Sequence, residues 1–152
     1  MKRSAGIVAY KIENNAIYVF LAHMGGPFWE GMNHWSILKG EYNKEETVKE
    51  AAIREFQEEC GQKLEYTNFF YLHTERQKSG KLVTFFAAET DIDPTKCFSN
   101  TFKREFPKGS GKINEYPEMD EFGWFSIDEA AKIILPGQRK SLTKLKQKLK
   151  KL

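Results

Sequence analysis

Two cysteines, five prolines and no long apolar run in 152 residues set the first limits on this chain. Cys60 and Cys97 stand far apart with no second pair. They build neither a disulfide framework nor a four-thiolate zinc site, and both read as ordinary half-buried thiols. No stretch approaches the roughly 20 apolar residues that a bilayer-crossing helix needs, so no membrane partner is expected. Residues 1–4 lead straight into a strand pattern without the charged and apolar pattern of an export signal, and the expected location is the cytoplasm. Net charge is small, at +3, while 40% of residues are hydrophobic and 14% aromatic. That is enough apolar surface for a core and excludes a chain disordered throughout. The length suits one domain over residues 1–152.

The positive charge that does exist is concentrated at one end. Arg139, Lys140, Lys144, Lys146, Lys148, Lys150 and Lys151 face no acid between Gln138 and Leu152, which leaves the rest of the chain acidic. Such a segment could attract phosphate-rich partners. Leu142, Leu145, Leu149 and Leu152 recur in it at helical spacing, however, and this period points to a docked amphipathic helix with a solvated lysine face. A nucleic-acid partner is therefore not expected. The oligomeric state is left open by the sequence.

Along the chain, Ser4 to Ile12 and Ala16 to Met24 are β-rich runs joined by Asn14-Asn15, a turn pair because Asn tolerates positive φ. Gly25-Gly26-Pro27 ends the second run, and Phe28 to His34 reads as a loop. Trp35 to Leu38 is a short apolar strand delivering the chain to a turn at Lys39-Gly40. From Glu45 the period becomes helical, with Val48, Ala51, Ala52 and Phe56 on one stripe and Gly61 as the stop. Tyr66 to Arg76 and Leu82 to Ile92 are further strands about a Lys78-Ser79-Gly80-Lys81 turn. Asp93 to Met119 reads as a long irregular stretch, of the kind that is functional or mobile. Glu121 to Phe125 is a last short strand. Ser126, with Glu129 at the capping-box position, opens a helix to about Leu135.

The chemistry is concentrated between Gly40 and Gly61. On a helix, Glu55 and Glu59 lie one turn apart on the same side, with Glu58 on an adjoining line. Three like charges so close call for something positive among them, and hard oxygen ligands suit Mg²⁺ or Mn²⁺ bound to phosphate oxygens of a substrate. Arg54 is able to pair bidentately with a carboxylate. Glu46, at the helix start, is where the helix dipole favours an anion. The two together would pin the 40–45 loop. Gly40 permits a backbone conformation closed to other residues, which would turn a carbonyl near Lys39 or Gly40 toward the metal.

The spacing Gly40, five residues, Glu46, seven residues, Arg54-Glu55-Phe56-Gln57-Glu58-Glu59, one residue, Gly61 resembles the Nudix box, G-x5-E-x7-R-E-U-x-E-E-x-G-U. One position departs: Gln62 stands where the family usually has an aliphatic residue, and Leu64 is placed to supply that packing contact. Two strands before the box, two after it, and a tryptophan-bearing strand and helix at Gly123 to Ala130 are similar to the order of elements in Nudix domains. The resemblance implies an α+β fold, a Nudix-type α/β/α sandwich with a mixed β-sheet, the box helix on one side and the C-terminal helices on the other.

What the resemblance implies for function is metal-dependent hydrolysis of a nucleoside diphosphate linked to another moiety, by a Nudix pyrophosphohydrolase acting on a small nucleotide substrate. It assigns Glu46, Arg54, Glu55, Glu58 and Glu59 to the catalytic set. Mg²⁺ or Mn²⁺ falls to Glu55, Glu58, Glu59 and Glu118, with Lys39 and Gly40 beside them. The base is Glu55 or a residue of a later loop. Glu118, six residues ahead of Trp124, is placed as in the dinucleoside tetraphosphate hydrolases of the family; its other reading is a loop carboxylate facing water, as for Glu115, Asp120 and Glu121. The segment His34 to Gly40 and the position of Lys81 are also similar to those enzymes, which makes Lys81, His34 and Trp35 candidates for substrate binding. Lys81 reads equally as a hairpin charge and His34 as a packed loop residue, while His23 and His73 read as structural. Among Phe28, Trp29, Phe102, Phe106 and Tyr116, one or two could stack on a nucleobase. Lys103, Arg104, Lys108 and Lys112 could clamp phosphates. A dinucleoside polyphosphate is the first substrate expected. Nucleoside triphosphates, nucleotide sugars, or binding without turnover in a Nudix sensor are the alternatives.

Overall fold

A computed structural model describes residues 2–29, 34–43 and 45–150. Part of the Phe28–His34 loop and Leu152 of the terminal leucine stripe lie outside the described residues. Strands β1 (Arg3–Glu13) and β2 (Ala16–Met24) pair antiparallel across Asn14 and Asn15, whose φ angles of 50° and 63° are the positive values the Asn pair was expected to take. β3 (Trp35–Ser36) pairs with β2, and β4 (Leu38–Tyr42) pairs with the first half of β1. Helix α1 (Val48–Cys60) follows, then β5 (Asn68–Arg76) and β6 (Leu82–Glu89). β6 runs parallel to β1 and antiparallel to β5, so the sheet is mixed. β7 (Thr101–Glu105) and β8 (Ile113–Pro117) form a separate hairpin. β9 (Met119–Ser126) returns to pair with β2. Helices α2 (Ile127–Ile133) and α3 (Arg139–Lys150) close the chain.

The period of two along the central strands sorts the core into two halves. Ala5, Ile7 and Ala9 of β1 and Phe20 and Ala22 of β2 face α1, which contributes Ala51, Ala52, Phe56 and Cys60. Val8, Tyr10, Val19 and Leu21 point the other way, toward Ala130 of α2 and Leu142 and Leu145 of α3. This is the expected α/β/α arrangement. Each fully buried Phe or Leu adds roughly 1.5–3 kcal/mol of transfer free energy. The basic C-terminal segment is a docked helix, as its leucine spacing indicated.

Helix α1 starts later than its apolar period suggested. Thr47 is the N-cap: its Oγ1 accepts from the Glu50 amide at 3.1 Å, and Glu50 Oε1 accepts from the Thr47 amide at 3.0 Å. This reciprocal box satisfies two otherwise orphaned donors and places Glu46 just outside the helix. Gly61, at φ 72°, ends it in the left-handed conformation. Ser126 caps α2 as expected, accepting from the Glu129 amide.

The stretch from Asp93 to Met119, read from sequence as irregular, contains a short 3-10 turn (Pro94–Lys96) and the β7–β8 hairpin. The hairpin has no signature in the sequence because nearly all its side chains are exposed, so no apolar alternation marks it. It includes a cis peptide bond between Phe106 and Pro107.

His73, on β5, is buried against Phe85 and shares a 2.7 Å hydrogen bond between its Nε2 and Ser141 Oγ of α3. Burial lowers its pKa below the ordinary 6.5; the Glu75 charge opposes the shift, while Lys144 and Lys140 reinforce it. Since the unfolded chain protonates more readily, stability is full above about pH 6.5 and falls as pH drops toward the lower folded value. His73→Gln should flatten that slope in urea titrations run at several pH values. Leu145→Ala, which removes the fully buried anchor of α3, should cost about 2–5 kcal/mol in the same measurement at pH 7.5.

Candidate active site

The site is organised by β4. The apolar run from Trp35 was expected to be one strand ending in a turn, but the chain breaks at Ile37 and continues as β4 through Lys39 and Gly40 to Tyr42. The break is held by a residue the sequence did not single out. Gln138, buried just before α3, accepts from the Ile37 amide at 2.8 Å and donates to Ser36 Oγ at 3.0 Å. A lone Gln after Pro136-Gly137 carries no sequence signal for this role.

Gly40 therefore lies within a strand, and it is not among the glycines with positive φ. The expectation of a special backbone angle there is corrected. The reason for glycine is space: a Cβ at residue 40 would lie 2.0 Å from Glu55 Oε2 and 2.2 Å from the Glu55 carboxyl carbon. The side chain of α1 packs straight onto the backbone of β4.

Arg54 joins three acids. Its Nε and Nη2 grip both oxygens of Glu46, at 2.6 and 2.9 Å, in the bidentate pair anticipated from sequence. Its Nη1 reaches Glu55 Oε1 at 2.9 Å and Glu58 Oε2 at 3.2 Å. Hydrogen bonding from Arg54 lowers the Glu46 pKa, and Glu46 in turn pushes the guanidinium pKa further up. Arg54 thus touches all three acids, and Glu46 is linked to the other two through it. Glu55 and Glu58 are both turned toward Arg54, and among the described residues no three His, Cys, Asp or Glu side chains form a ready-made ligand set.

Glu59 sits deeper. Only 7% exposed, its Oε2 accepts from the Lys39 amide at 3.2 Å. Burial, followed by the charges of Glu55 and Glu118, pushes its pKa up to about 8. Burial also raises the pKa of Glu55 and of Glu118, with Glu58 adding to both. Four carboxyl groups thus feel one another across α1 and the start of β9, with Arg54 committed to the outer side. A divalent cation would supply the charge such a group lacks, and an all-oxygen donor set is one that Mg²⁺ or Mn²⁺ accepts.

Glu118 arrives at the site from the foot of the hairpin. Its carbonyl accepts from the Gly25 amide at 2.8 Å, and its amide donates to the Asn100 carbonyl at 2.8 Å. Phe102 of β7 packs on Gly26. Arg104 lies over the ring of Phe28, 5.9 Å from its centroid, and Phe28 is 55% exposed with Trp29 edge-on at 4.9 Å. An aromatic and cationic ledge therefore stands at the hairpin whose foot leads into Glu118.

The remaining candidates divide. Lys39 is half-buried, its pKa lowered by burial and then by the Lys81 charge. Lys81 shares a 3.7 Å ion pair with Glu41 of β4. His34 is half-buried, with its ring 4.9 Å from that of Trp29. Trp35 is 7% exposed and packs edge-on against Phe125 and His23 in the core half that faces α2 and α3. His23 shares a 2.7 Å contact between its Nδ1 and Asp120. Leu64 supplies the packing contact expected of it, buried in the core half beneath α1.

The sequence model of the NUDIX domain matches residues 1–145. The chain belongs to this family, that of the Nudix pyrophosphohydrolases. A search of curated protein sequences finds no match. Among solved structures, the chain is similar to a C. elegans Ap4A hydrolase in a binary complex, at 21% identity and TM-score 0.67, covering 100% of both chains. It is also similar to the NUDIX domain of Shewanella oneidensis NrtR complexed with ADP ribose, at 12% identity and TM-score 0.67, covering 97% of this chain and 87% of that one. The E. coli ORF135 protein matches at 21% identity and TM-score 0.57, over 97% and 91%. At these identities the likeness concerns the fold.

No helix among the described residues is long and apolar enough to cross a membrane. Gly40→Ala should displace the Glu55 carboxyl from β4. Pyrophosphatase activity is expected to fall at least tenfold, at a stability cost of about 1–3 kcal/mol from overpacking, read by steady-state kinetics and thermal unfolding.

Proposed function

We propose that this chain, acting as one domain, hydrolyses a phosphoanhydride bond in a nucleoside diphosphate linked to another moiety, with a dinucleoside polyphosphate as its substrate and Mg²⁺ or Mn²⁺ as cofactor. The observation that carries the reading is the buried Glu59 carboxyl, gathered with Glu55 and Glu118 beside β4 with the Lys39 amide as its hydrogen-bond donor. Glu55, Glu58, Glu59 and Glu118 would hold the cation, with the Lys39–Gly40 backbone next to them. The ion's chemistry when present is neutralisation of phosphate charge and activation of water.

The protein's own part follows from the contacts. Arg54 fixes Oε1 of Glu55, which leaves Oε2, against Gly40, either to bind the cation or to take the proton of the attacking water. Burial raises the Glu55 pKa and so strengthens it as a base. Glu46 holds Arg54 from the far side. Lys39 and Lys81 bring positive charge to the β4 side of the site, where polyphosphate oxygens would lie. Phe28 and Arg104 offer a nucleobase a flat surface; such stacking contributes roughly 1–3 kcal/mol per base.

The Ap4A hydrolase neighbour supports the dinucleoside polyphosphate reading. The ADP-ribose complex of the NrtR domain favours a second reading, a nucleotide sugar. One assay separates them: dinucleoside polyphosphates, nucleotide sugars and nucleoside triphosphates offered with Mg²⁺ and with Mn²⁺, products identified by mass. The highest kcat/KM is expected for a dinucleoside polyphosphate, and a clear preference for either other class overturns the substrate assignment. In that assay Glu58→Gln and Glu59→Gln should each lower turnover on the order of 100-fold, about 2.7 kcal/mol of barrier, with circular dichroism unchanged. Near-normal rates in both variants would remove the metal assignment.

A further inference from the structure

Cys60 and Cys97, remote in sequence and read there as unrelated thiols, meet in the fold. Cys60 is the last residue of α1 and fully buried, while Cys97 closes the 3-10 turn at Pro94–Lys96 and is half-buried. Their backbones run side by side: the Phe98 amide donates to the Cys60 carbonyl at 3.0 Å. Gly61 allows this approach, since a Cβ there would lie 2.7 Å from the Phe98 carbonyl oxygen. The two side chains are within hydrogen-bonding reach of each other. A disulfide needs α-carbons about 4.4–6.8 Å apart, and a backbone hydrogen bond between the two segments is the kind of contact that holds them close.

Gln62, the residue that departs from the box pattern, serves this pair. Its Nε2 donates to Cys97 Sγ at 3.2 Å and to the Asp93 carbonyl at 3.1 Å, while its own carbonyl accepts from the Cys60 thiol at 3.7 Å. An aliphatic residue would make none of the Nε2 bonds. The Cys97 thiol also lies 3.5 Å from the Asp93 carbonyl. Both sulfurs are therefore oriented by the same short stretch of chain.

We propose that Cys60 and Cys97 form a reversible intramolecular disulfide, a redox modification site that ties the end of α1, one residue past Glu59, to the 93–98 segment. The oxidant is a small-molecule disulfide such as oxidised glutathione. Cys97, raised in pKa by its hydrogen bond to Cys60 and by burial but the more accessible thiol, loses its proton and attacks one glutathione sulfur; a protein–glutathione disulfide forms and one glutathione thiolate leaves. Cys60 then loses its proton and attacks the Cys97 sulfur, forming the Cys60–Cys97 bond and expelling the second glutathione. Two protein thiols are oxidised, one glutathione disulfide is reduced to two thiols, and the two protons end on those thiols. A reducing thiol pool reverses the exchange, so the cross-link answers to the surrounding redox balance.

The test uses the wild-type chain, equilibrated in glutathione buffers of increasing oxidised fraction, quenched by alkylation, and read by intact mass and non-reducing peptide mapping. The expected product is a monomer lighter by two hydrogens in which the Cys60 and Cys97 peptides are joined. Its fraction should rise with the oxidised-to-reduced ratio and vanish on adding dithiothreitol. Cys97→Ser should not show this mass loss. Two alkylated thiols at every ratio, a persistent glutathione adduct on Cys97 without the cross-link, or disulfide-linked dimers would each overturn the proposal.

Discussion

The close contact between α1 and β4 is the constraint from which the rest of the site follows. A glutamate carboxyl from α1 lies against the backbone of β4 at Gly40, and a second accepts the Lys39 amide. Neither contact tolerates a side chain between helix and strand. Burial so near the backbone strips water from Glu59, and its acidity weakens accordingly. The last turn of α1 contains no basic residue, so Glu58 and Glu59 also face the negative end of the helix dipole. Arg54 relieves the outer acids, and the inner one accepts from the Lys39 amide. The result is a concentrated cluster of carboxyl groups whose acidity is weakened by burial and by one another.

That centre is held from both sides of the sheet. Below it, Phe56 and the alanines of α1 lock the helix onto β1 and β2. From the opposite layer, Gln138 fixes the break between β3 and β4 by bonds to Ile37 and Ser36. Buried amides make such bonds strong and costly to lose, since either partner alone would be left unsatisfied. The C-terminal helices therefore do more than cover apolar surface. Through one glutamine they set where β4 begins, and hence where Gly40 meets Glu55.

Much of this was readable without the structure, where local chemistry and period agree. The Asn14-Asn15 turn, the Gly61 stop, the Arg54–Glu46 pair and the leucine stripe of α3 each rest on residues close together or regularly spaced. What stayed hidden depended on contacts between distant segments. The Cys60–Cys97 approach and the Gln138 bonds join residues far apart in the chain, with no pattern linking them. Gly40 was rightly singled out but for the wrong reason, because sequence distinguishes the need for glycine without telling torsion from space. Trp35 sits among residues that resemble a binding segment, yet strand alternation turns its ring into the core. The β7–β8 hairpin lacks a buried face and so lacks a signature.

That same lack of a buried face has a consequence for how the protein could diversify. None of residues 101–117 belongs to either half of the core, yet they present Arg104 beside Phe28 and deliver the chain to Glu118. Substitutions or length changes at the hairpin tip would leave the folding free energy almost untouched while reshaping what the acidic centre encounters. The exposed hairpin and the packed core thus lie on separate stretches of chain, and a change confined to the hairpin tip leaves the core's contacts as they are.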